Sequence, residues 1–404
     1  MTGQGTRGPR QSKADWTRDI NDAISMGIDG WQLNFGHYRG RMKSNVETFI
    51  DALDELSDPA STFWFFPSFD CNDGRVPVYD EVEEWFAEYY FHPRHFRVNG
   101  LPLLTVWQGR SVGNDYFLEL KEKLRRAGRP IAFIPWLATR ANKQQMAWLF
   151  RQWSSMDGFA PWVPGLRVED AIRMNFIAAE LCDRHGLELI AGQGFNMLQI
   201  NKAPRYVNKN AAEAVSKQME PFVHGHLPNC RYLCVATWND FGEDHHITPY
   251  PPWGPIGGKH PVWSHVGYAT VVKYYLDWWK AGRQPSLDED LVIIFHMTQL
   301  ANEGKPPFPL ESYGPDMAED IVYLTTILRE PGQVYVGSGG LPRVVFDAPS
   351  GISHWRAPAA PGLQVYGLER GGVTVIEQTS DRAIQSPPLE PWSWSHYSEV
   401  ASAS

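Results

Sequence analysis

The chain has 404 residues, of which 43% are hydrophobic and 21% are charged, and its formal net charge is −9. These values are typical of a folded globular protein, and the length suits a barrel of roughly 250 residues with a smaller module attached. An acidic chain without a Lys/Arg run has no electrostatic footprint for nucleic acid or anionic lipid. We therefore expect no nucleic-acid or membrane partner, and a monomer.

The chain start and the four cysteines bear on a secretory signal, a disulfide framework and a zinc site. The first fifteen residues, MTGQGTRGPRQSKAD, include basic residues but no apolar stretch, so we expect no secretory signal in them. The four cysteines are too few for a disulfide framework in a chain of this size. Cys230 and Cys234 have no second Cys/His pair nearby, so we expect no zinc site there.

Short apolar runs alternate with amphipathic stretches over the first two thirds of the chain. Seven runs are bounded by Gly, Pro, Asn or Asp, as buried parallel strands are: Gly30–Phe35, Phe63–Phe69, Leu103–Gln108, Ile131–Leu137, Gly158–Val163, Leu189–Phe195 and Tyr232–Trp238. Helical patterns lie between them, for example at Asp115–Gly128 and Val168–Gly186. This alternation predicts a parallel sheet, and its many repeats predict a (β/α)8 TIM-type barrel.

A barrel of this type has eight strands, one more than the runs found. The first clear element is the helix DWTRDINDAISMG, which should follow a strand, but the residues before it are rich in Gly, Arg and Gln. We therefore expect the first strand to be missing or irregular, with truncation of the chain as the favoured explanation.

The pattern changes after the helix predicted at Val266–Gly282. Short, partly alternating runs separated by Gly/Pro turns predict an antiparallel β-sandwich: 290–297, 320–328, 332–339, 343–349, 362–369 and 372–379. The boundary is expected near Gln284–Asp290, which gives a barrel catalytic domain at 1–284 and a β-sandwich module at 285–404. The closing segment WSWSHYSEVASAS is expected to be a frayed tail.

In barrels of this type the catalytic groups lie where the strands end. The predicted strand ends carry carboxylates, amides and aromatic rings without a nucleophile–base pair: Asn34, His37, Asp70, Gln108, Trp136, Trp162, Gln193, Asn196, Trp238, Asn239, Asp240 and Glu243. Carboxylates and amides suit sugar hydroxyls, and flat aromatic rings suit the C–H face of a pyranose. This set therefore indicates a carbohydrate site.

The densest group is WNDFGEDHH, Trp238–His246, directly after the last predicted strand. Asp240 and Glu243 are three residues apart, so their Cα atoms are at most about 10 Å apart. Glycoside hydrolysis needs two such carboxyl groups at the scissile bond. The alternative is that these side chains only cap the following turn. For His245 and His246 we expect a hydrogen bond to a carboxylate rather than a metal.

These motifs resemble glycoside hydrolase family 71, the α-1,3-glucanases or mutanases. The resemblance covers most of the chain. It rests on FPSFD (Phe66–Asp70), on Tyr90–Gly109, on DGFAPWVP (Asp157–Pro164) and above all on ATWNDFGEDHHITP (Ala236–Pro249), which is similar to the family's Thr-Trp-Asn-Asp-Tyr-Gly-Glu-Ser-His segment.

The resemblance implies an endo-acting, inverting hydrolase of α-1,3-glucan without a metal or organic cofactor. It implies that Asp240 and Glu243 are the catalytic pair, with Glu243 as general acid and Asp240 as base, or the reverse. Asp70 would supply a third charge and His245 a hydrogen bond. The remaining substrate-binding candidates are Trp238, Asn239, Trp136, Trp162, Asn34, Gln108 and Gln193. For the tryptophans, Asn34, Gln108 and Gln193, core packing or loop bracing is an equal alternative.

The chain departs from the family pattern at three positions of this segment. Phe241 replaces a Tyr, Asp244 replaces a Ser, and His246 replaces a Tyr. Two other functions stay open. One is an α-mannoside-acting barrel glycosidase similar to family 99, and the other is a non-catalytic carbohydrate-binding protein on the same fold. A polysaccharide substrate predicts an extracellular or cell-wall location.

Overall fold

The computed structural model describes residues 2–3, 12–56, 62–72, 75–137, 139–199, 204–227, 229–249, 262–314, 316–338 and 341–403. Its α-helices are α1 (Lys13–Ser25), α2 (Arg41–Asp54), α3 (Tyr79–Tyr89), α4 (Asn114–Arg126), α5 (Lys143–Gln152), α6 (Val168–His185), α7 (Glu213–Val223) and α8 (Val266–Ala281). In these described ranges, every helix is too short or too polar to cross a membrane.

The strands of the first two thirds of the chain alternate with these helices. They are β1 (Thr2–Gly3), β2 (Gly30–Phe35), β3 (Trp64–Asp70), β4 (Arg97–Val98), β5 (Leu101–Trp107), β6 (Ala132–Phe133), β7 (Gly158–Phe159), β8 (Glu188–Gly194), β9 (Met197–Gln199), β10 (Arg205–Val207), β11 (Tyr232–Ala236), β12 (Asn239–Asp240) and β13 (His245–His246). The fold is therefore mixed α/β, as the sequence predicts.

Parallel pairing links the seven predicted strands into two groups. One group has the order β1-β2-β3-β5 with β6 beside β5, and the other has the order β11-β8-β7. An isolated parallel bridge between Trp136 and Ala160 follows β6 and β7. These two strands are only two residues long, because Pro135 and Pro161 follow closely and lack the N–H that a ladder needs.

The first strand, expected to be missing or irregular, is a strand of only two residues. Thr2 and Gly3 form β1, which pairs in parallel with Gln32 and Leu33 of β2. A buried strand is recognised in a sequence by its run of apolar residues. A two-residue strand needs only backbone hydrogen bonds and carries no such run. The residues between β1 and Ser12 lie outside the described ranges.

Side chains on the two faces of these strands have different partners. Trp31 of β2 packs against Trp16 of α1 and Phe49 of α2, with ring centroids 5.9 and 5.7 Å apart. A separate apolar cluster gathers side chains of β5, β6, β8 and β11 around the buried residues Leu103, Ala132, Ile190 and Cys234. The strands are therefore covered on both faces, as parallel strands usually are.

Contacts divide the chain into two compact units. The first unit comprises Met1–Gly194 and His224–Asn239, and the second comprises Phe195–Val223 and Asp240–Ser404. This division does not coincide with the sequence-based boundary near residue 284, and the division into a 1–284 and a 285–404 domain stays a prediction.

The antiparallel region predicted after residue 284 is confirmed. Its strands are β14 (Asp290–Met297), β15 (Ile321–Leu328), β16 (Gly332–Ser338), β17 (Val344–Ala348), β18 (Gly351–Pro358), β19 (Gly362–Arg370), β20 (Val373–Ile384) and β21 (His396–Ala403). They form two sheets, β18-β15-β14-β21 and β17-β16-β19-β20. Val292 and Leu324 of one sheet share a buried core with Val334 and Leu368 of the other.

The closing segment is not a frayed tail, contrary to expectation. Strand β21 pairs with β14 along its whole length, from Met297–His396 to Asp290–Ala403. Before it, Trp392 and Trp394 are buried against Tyr313. The sequence of this segment gave no strand signal, because several of the side chains that the strand buries are small, such as Ser398 and Ala401.

A buried carboxylate ties the two antiparallel sheets together. Asp290, which is 0% exposed, accepts hydrogen bonds from both guanidinium NH groups of Arg370 at 2.7 and 2.8 Å. It also accepts one from the backbone N–H of Arg329 at 2.8 Å. Burial alone would raise the pKa of Asp290, but these hydrogen bonds outweigh it and lower the pKa to about 2.

We expect Asp290 to stabilise the protein at neutral pH and to lose this effect in acid. The folded-state pKa lies below the ordinary value of 3.8, so the stabilisation is present above pH 4 and disappears as the pH falls toward 2. A difference of nearly two pKa units corresponds to about 2 kcal/mol. Urea unfolding from pH 7 to pH 2.5 should show that Asp290→Asn destabilises the protein at pH 7 and much less near pH 2.5.

Glu377→Gln is the matched control, because Glu377 pairs with Arg343 at 2.7 Å on the surface of the same sheets. Exposed pairs contribute little, so this change should leave the unfolding midpoint nearly unchanged. A destabilisation by Asp290→Asn that is the same at both pH values would contradict the assignment.

Candidate active site

The predicted strand-end residues Asn34 and Asp70 lie at the carboxyl ends of paired strands. Asn34 of β2 is in register with Ser68 of β3, and Asp70 is in register with Trp107 of β5. The side-chain oxygens of Asn34 and Ser68 are buried and have no hydrogen-bond partner among the described residues. Asp70 is half-buried, and its Oδ1 accepts a hydrogen bond from the Asn72 N–H at 2.8 Å.

Three tryptophans form a cluster at the same end of the strands. The ring of Trp162 lies 4.2 Å from that of Trp107 and 5.0 Å from that of Trp136. Trp107 and Trp162 are half-buried, whereas Trp136 is 1% exposed. The geometry therefore favours Trp162 as a surface for stacking and Trp136 as its support in the core.

Other predicted binding residues are divided between buried and accessible positions. Trp238 is 0% exposed and packs against Trp31 at 5.5 Å, and Gln193 is 0% exposed with its amide donating to the Gly194 carbonyl at 3.1 Å. Such burial favours packing and bracing. Gln108 and Asn239 are half-buried at strand ends, and Gln108 has a left-handed backbone with φ of 58°.

The carboxylate loop, residues 240–246, lies in the second unit and directly follows Asn239. It comprises a 3-10 turn at Phe241–Glu243 and then β13. Asp240 is 7% exposed, and Glu243 is half-buried. Oε1 of Glu243 accepts a hydrogen bond from the amide of Gln199, at the end of β9, at 3.2 Å. The loop thus holds one buried and one more accessible carboxyl group.

His245 contacts backbone, where the sequence predicted a hydrogen bond to a carboxylate. Its Nε2 lies 3.2 Å from the Phe195 N–H, which donates to it. Burial lowers the pKa of His245 to about 3, so the ring is neutral. The neutral imidazole of His245 accepts a hydrogen bond from the Phe195 backbone and so helps to position the carboxylate loop.

Buried ionisable groups surround this part of the second unit. Burial lowers the pKa of Lys209 to about 7 and raises the pKa of Asp244 to about 8, although a hydrogen bond from Ser395 partly offsets the latter. Lys209 is 1% exposed, and its nearby charge lowers the pKa of His245 further. Near neutral pH these groups carry less charge than their residue types suggest.

Sequence reasoning missed two residues that contact predicted site residues. Trp107 directly precedes Gln108 at a strand end, so the same strand-end rule could have found it. Gln199, the last residue of β9, donates a hydrogen bond to Glu243. No pattern in the sequence indicates that contact.

Comparison with known proteins defines the class. The sequence profile described as glycosyl hydrolase family 71 matches residues 4–167 and 215–400. The protein is therefore a glycoside hydrolase. More narrowly, the chain belongs to glycosyl hydrolase family 71.

Two curated relatives cover most of the chain. A mutanase from Penicillium rubens is 23% identical over 387 residues, which are 90% of this chain and 79% of the relative. The glucan endo-1,3-alpha-glucosidase agn1 from Schizosaccharomyces pombe is 24% identical over 413 residues, or 92% of this chain and 88% of the relative.

Solved structures with similar folds include other glycosidases. The GH99 endo-alpha-mannosidase from Bacteroides thetaiotaomicron has a TM-score of 0.53 and 13% identity, and covers 68% of this chain and 81% of its own. A glycoside hydrolase-like protein has a TM-score of 0.51 and 12% identity, covering 67% and 87%. At this level of identity the likeness shows the fold alone.

The two tryptophans of the cluster should respond differently to truncation. We expect Trp162→Ala to raise KM for the carbohydrate substrate about tenfold with little change in Tm, because a stacking surface is lost. Trp136→Ala should instead lower the free energy of unfolding by about 3–5 kcal/mol, because it leaves a core cavity. Steady-state kinetics and thermal unfolding of both variants test this. A stability loss in Trp162→Ala and a KM effect in Trp136→Ala would exchange the two roles.

Proposed function

We propose that this enzyme hydrolyses α-1,3-glucan within the chain, with inversion at the anomeric carbon, and that Asp240 and Glu243 are its catalytic pair. The observation that carries the proposal is the segment Ala236–Pro249, which lies at a strand end of a chain that belongs to family 71. One of the two curated relatives is named as a glucan endo-1,3-alpha-glucosidase, which supports the same substrate here.

We also propose that the eight parallel strands β1, β2, β3, β5, β6, β7, β8 and β11 close into a (β/α)8 barrel. Three observations support closure. The bridge Trp136–Ala160 joins the two strand groups, and β1 lies beside β11. Sγ of Cys234 in β11 also approaches Oε1 of Gln32 in β2 to 3.9 Å. In a closed barrel, all the strand-end residues of the first unit share one mouth.

In the proposed reaction, Glu243 protonates the oxygen that leaves, and Asp240 accepts a proton from the attacking water. The more accessible Glu243 suits contact with the leaving sugar, and the amide of Gln199 orients its carboxyl group. Water attacks C1 opposite to the leaving oxygen, so that bond formation and cleavage invert the anomeric centre. Asp70 is the proposed third charge, and the amides of Asn34 and Gln108 are the proposed hydroxyl contacts.

Removing either carboxylate should abolish hydrolysis of the polymer. We expect Asp240→Asn and Glu243→Gln each to lower kcat on α-1,3-glucan by about 10³-fold or more, because general acid–base catalysis and transition-state charge are both lost. Reducing-sugar release measures this loss. Glu311→Gln, which changes an exposed carboxylate of the same unit, is the control and should retain activity.

A glycosyl fluoride separates the two roles. Fluoride leaves without a proton, so an α-1,3-linked oligosaccharyl fluoride should still be hydrolysed by the variant that lacks the acid, Glu243→Gln. The variant that lacks the base, Asp240→Asn, should remain inactive. If Asp240→Asn is the variant that retains fluoride hydrolysis, the assignment is reversed. If both variants degrade the polymer normally, the catalytic pair lies elsewhere.

Inversion predicts the configuration of the first product. Because the substrate bond is α, proton NMR during the first minutes should show a new reducing end in the β configuration before mutarotation. An initial α-anomer would indicate a retaining enzyme. Parallel assays with β-1,3-glucan, starch and α-mannan test the substrate, and activity on mannan alone would favour the α-mannoside-acting alternative.

A further inference from the structure

Asp244, His246 and His265 form a buried group within the second unit that the proposed chemistry does not use. One oxygen or nitrogen from each residue lies within 4.8 Å of one from each of the others. Their exposures are 3%, 0% and 1%. Asp244 and His246 belong to the carboxylate loop, and His265 is the residue before α8.

Hydrogen bonds to the backbone fix which nitrogen of each ring carries its proton. Nδ1 of His265 lies 2.7 Å from the His246 carbonyl oxygen, and Nε2 of His246 lies 3.1 Å from the Trp263 carbonyl oxygen. A carbonyl can only accept, so these nitrogens donate. The other nitrogen of each neutral ring then bears a lone pair. Metal-binding histidines typically have the same arrangement.

The lone pair of His265 faces a carboxylate oxygen. Its Nε2 lies 3.5 Å from Oδ1 of Asp244. That separation is too long for a hydrogen bond of ordinary strength. It matches the edge of a tetrahedron, about 3.4 Å, around a zinc ion with bonds of about 2.1 Å. A divalent cation between the two atoms could accept a lone pair from each of them.

We propose that Asp244, His246 and His265 bind one divalent transition-metal cation, with zinc as the best match to a set of two imidazoles and one carboxylate. Oδ1 of Asp244 and Nε2 of His265 are already at a separation that suits two ligands of one ion. The rings of His246 and His265 stack with centroids 3.9 Å and planes 9° apart. Metal–nitrogen bonds lie in the ring plane, so one ring must turn out of this stack when the ion binds.

The ion would fasten the carboxylate loop to the start of α8. Asp244 directly follows Glu243, and its left-handed backbone, with φ of 52°, ends the 3-10 turn that carries Glu243. Ser395 donates a hydrogen bond to Oδ1 of Asp244 at 2.6 Å and orients that ligand from the strand region. Asp244 and His246 are also two of the positions at which this chain departs from the family pattern.

The test measures zinc binding to the full-length protein after removal of metal with a chelator. His224 and His226 are exposed with rings 5.8 Å apart and could bind zinc on the surface, so His224→Gln/His226→Gln serves as the background. Equilibrium dialysis with elemental analysis should give one zinc ion per chain. The Tm should rise by about 2 °C or more at saturating zinc.

Asp244→Ser and His246→Tyr in that background restore the residues of the family pattern, so both variants are expected to fold. Each should weaken zinc binding about 100-fold and abolish the rise in Tm. Absorption of the cobalt-loaded protein should report a site of nitrogen and oxygen ligands that these variants lose. Absence of stoichiometric zinc in the background protein, or equal binding by both variants, would overturn the proposal. The readouts do not depend on hydrolysis, so failure of the glucanase proposal would be recognised separately.

Discussion

Parallel strands in close register are the constraint on which the first unit depends. Each strand must approach its neighbours closely enough for a continuous ladder, and glycine permits this where the strands begin. A Cβ on Gly30 would lie 2.2 Å from the Trp64 carbonyl oxygen, and one on Gly158 would lie 2.5 Å from that of Glu188. The registers Asn34–Ser68 and Asp70–Trp107 then follow from backbone pairing alone.

The same constraint explains how much of the fold the sequence predicts. Buried strands must be apolar and short, so β2 and β14 match the predicted runs residue for residue. Strand β15 begins one residue later than predicted, and β8 is shifted by one residue toward the N-terminus. Elements held by backbone pairing or by small side chains carry no such signal. Strands β1, β18 and β21 were missed for this reason. The helix ends at Gly186 and Gly282 were predictable, because only glycine adopts their left-handed backbone without strain.

For the candidate site, the sequence indicates the residue types better than their surroundings. A strand-end rule finds Asn34, Asp70 and the carboxylate loop, because position along the chain fixes which end of a strand a residue occupies. It cannot tell a stacking surface from a buried support. Trp136 and Trp162 have equivalent positions in sequence, yet only one is fully enclosed. The neighbours that decide this come from strands far away along the chain.

The carboxylate loop contains buried polar side chains, such as His245 and Asp244, whose burial needs a physical explanation. Burying an imidazole or carboxyl group costs free energy unless it is hydrogen-bonded, and an apolar core would stabilise the protein more simply. Nε2 of His245 accepts a hydrogen bond from the Phe195 backbone and Oδ1 of Asp244 accepts one from Ser395, so each buried group fixes one loop position relative to a second chain segment. Apolar packing tolerates small shifts of the loop, whereas hydrogen bonds and metal bonds fix direction as well as distance. In the proposed mechanism the two carboxyl groups of this loop flank one glycosidic bond. Such a loop benefits from that directionality, which gives the buried groups a reason to persist despite their cost.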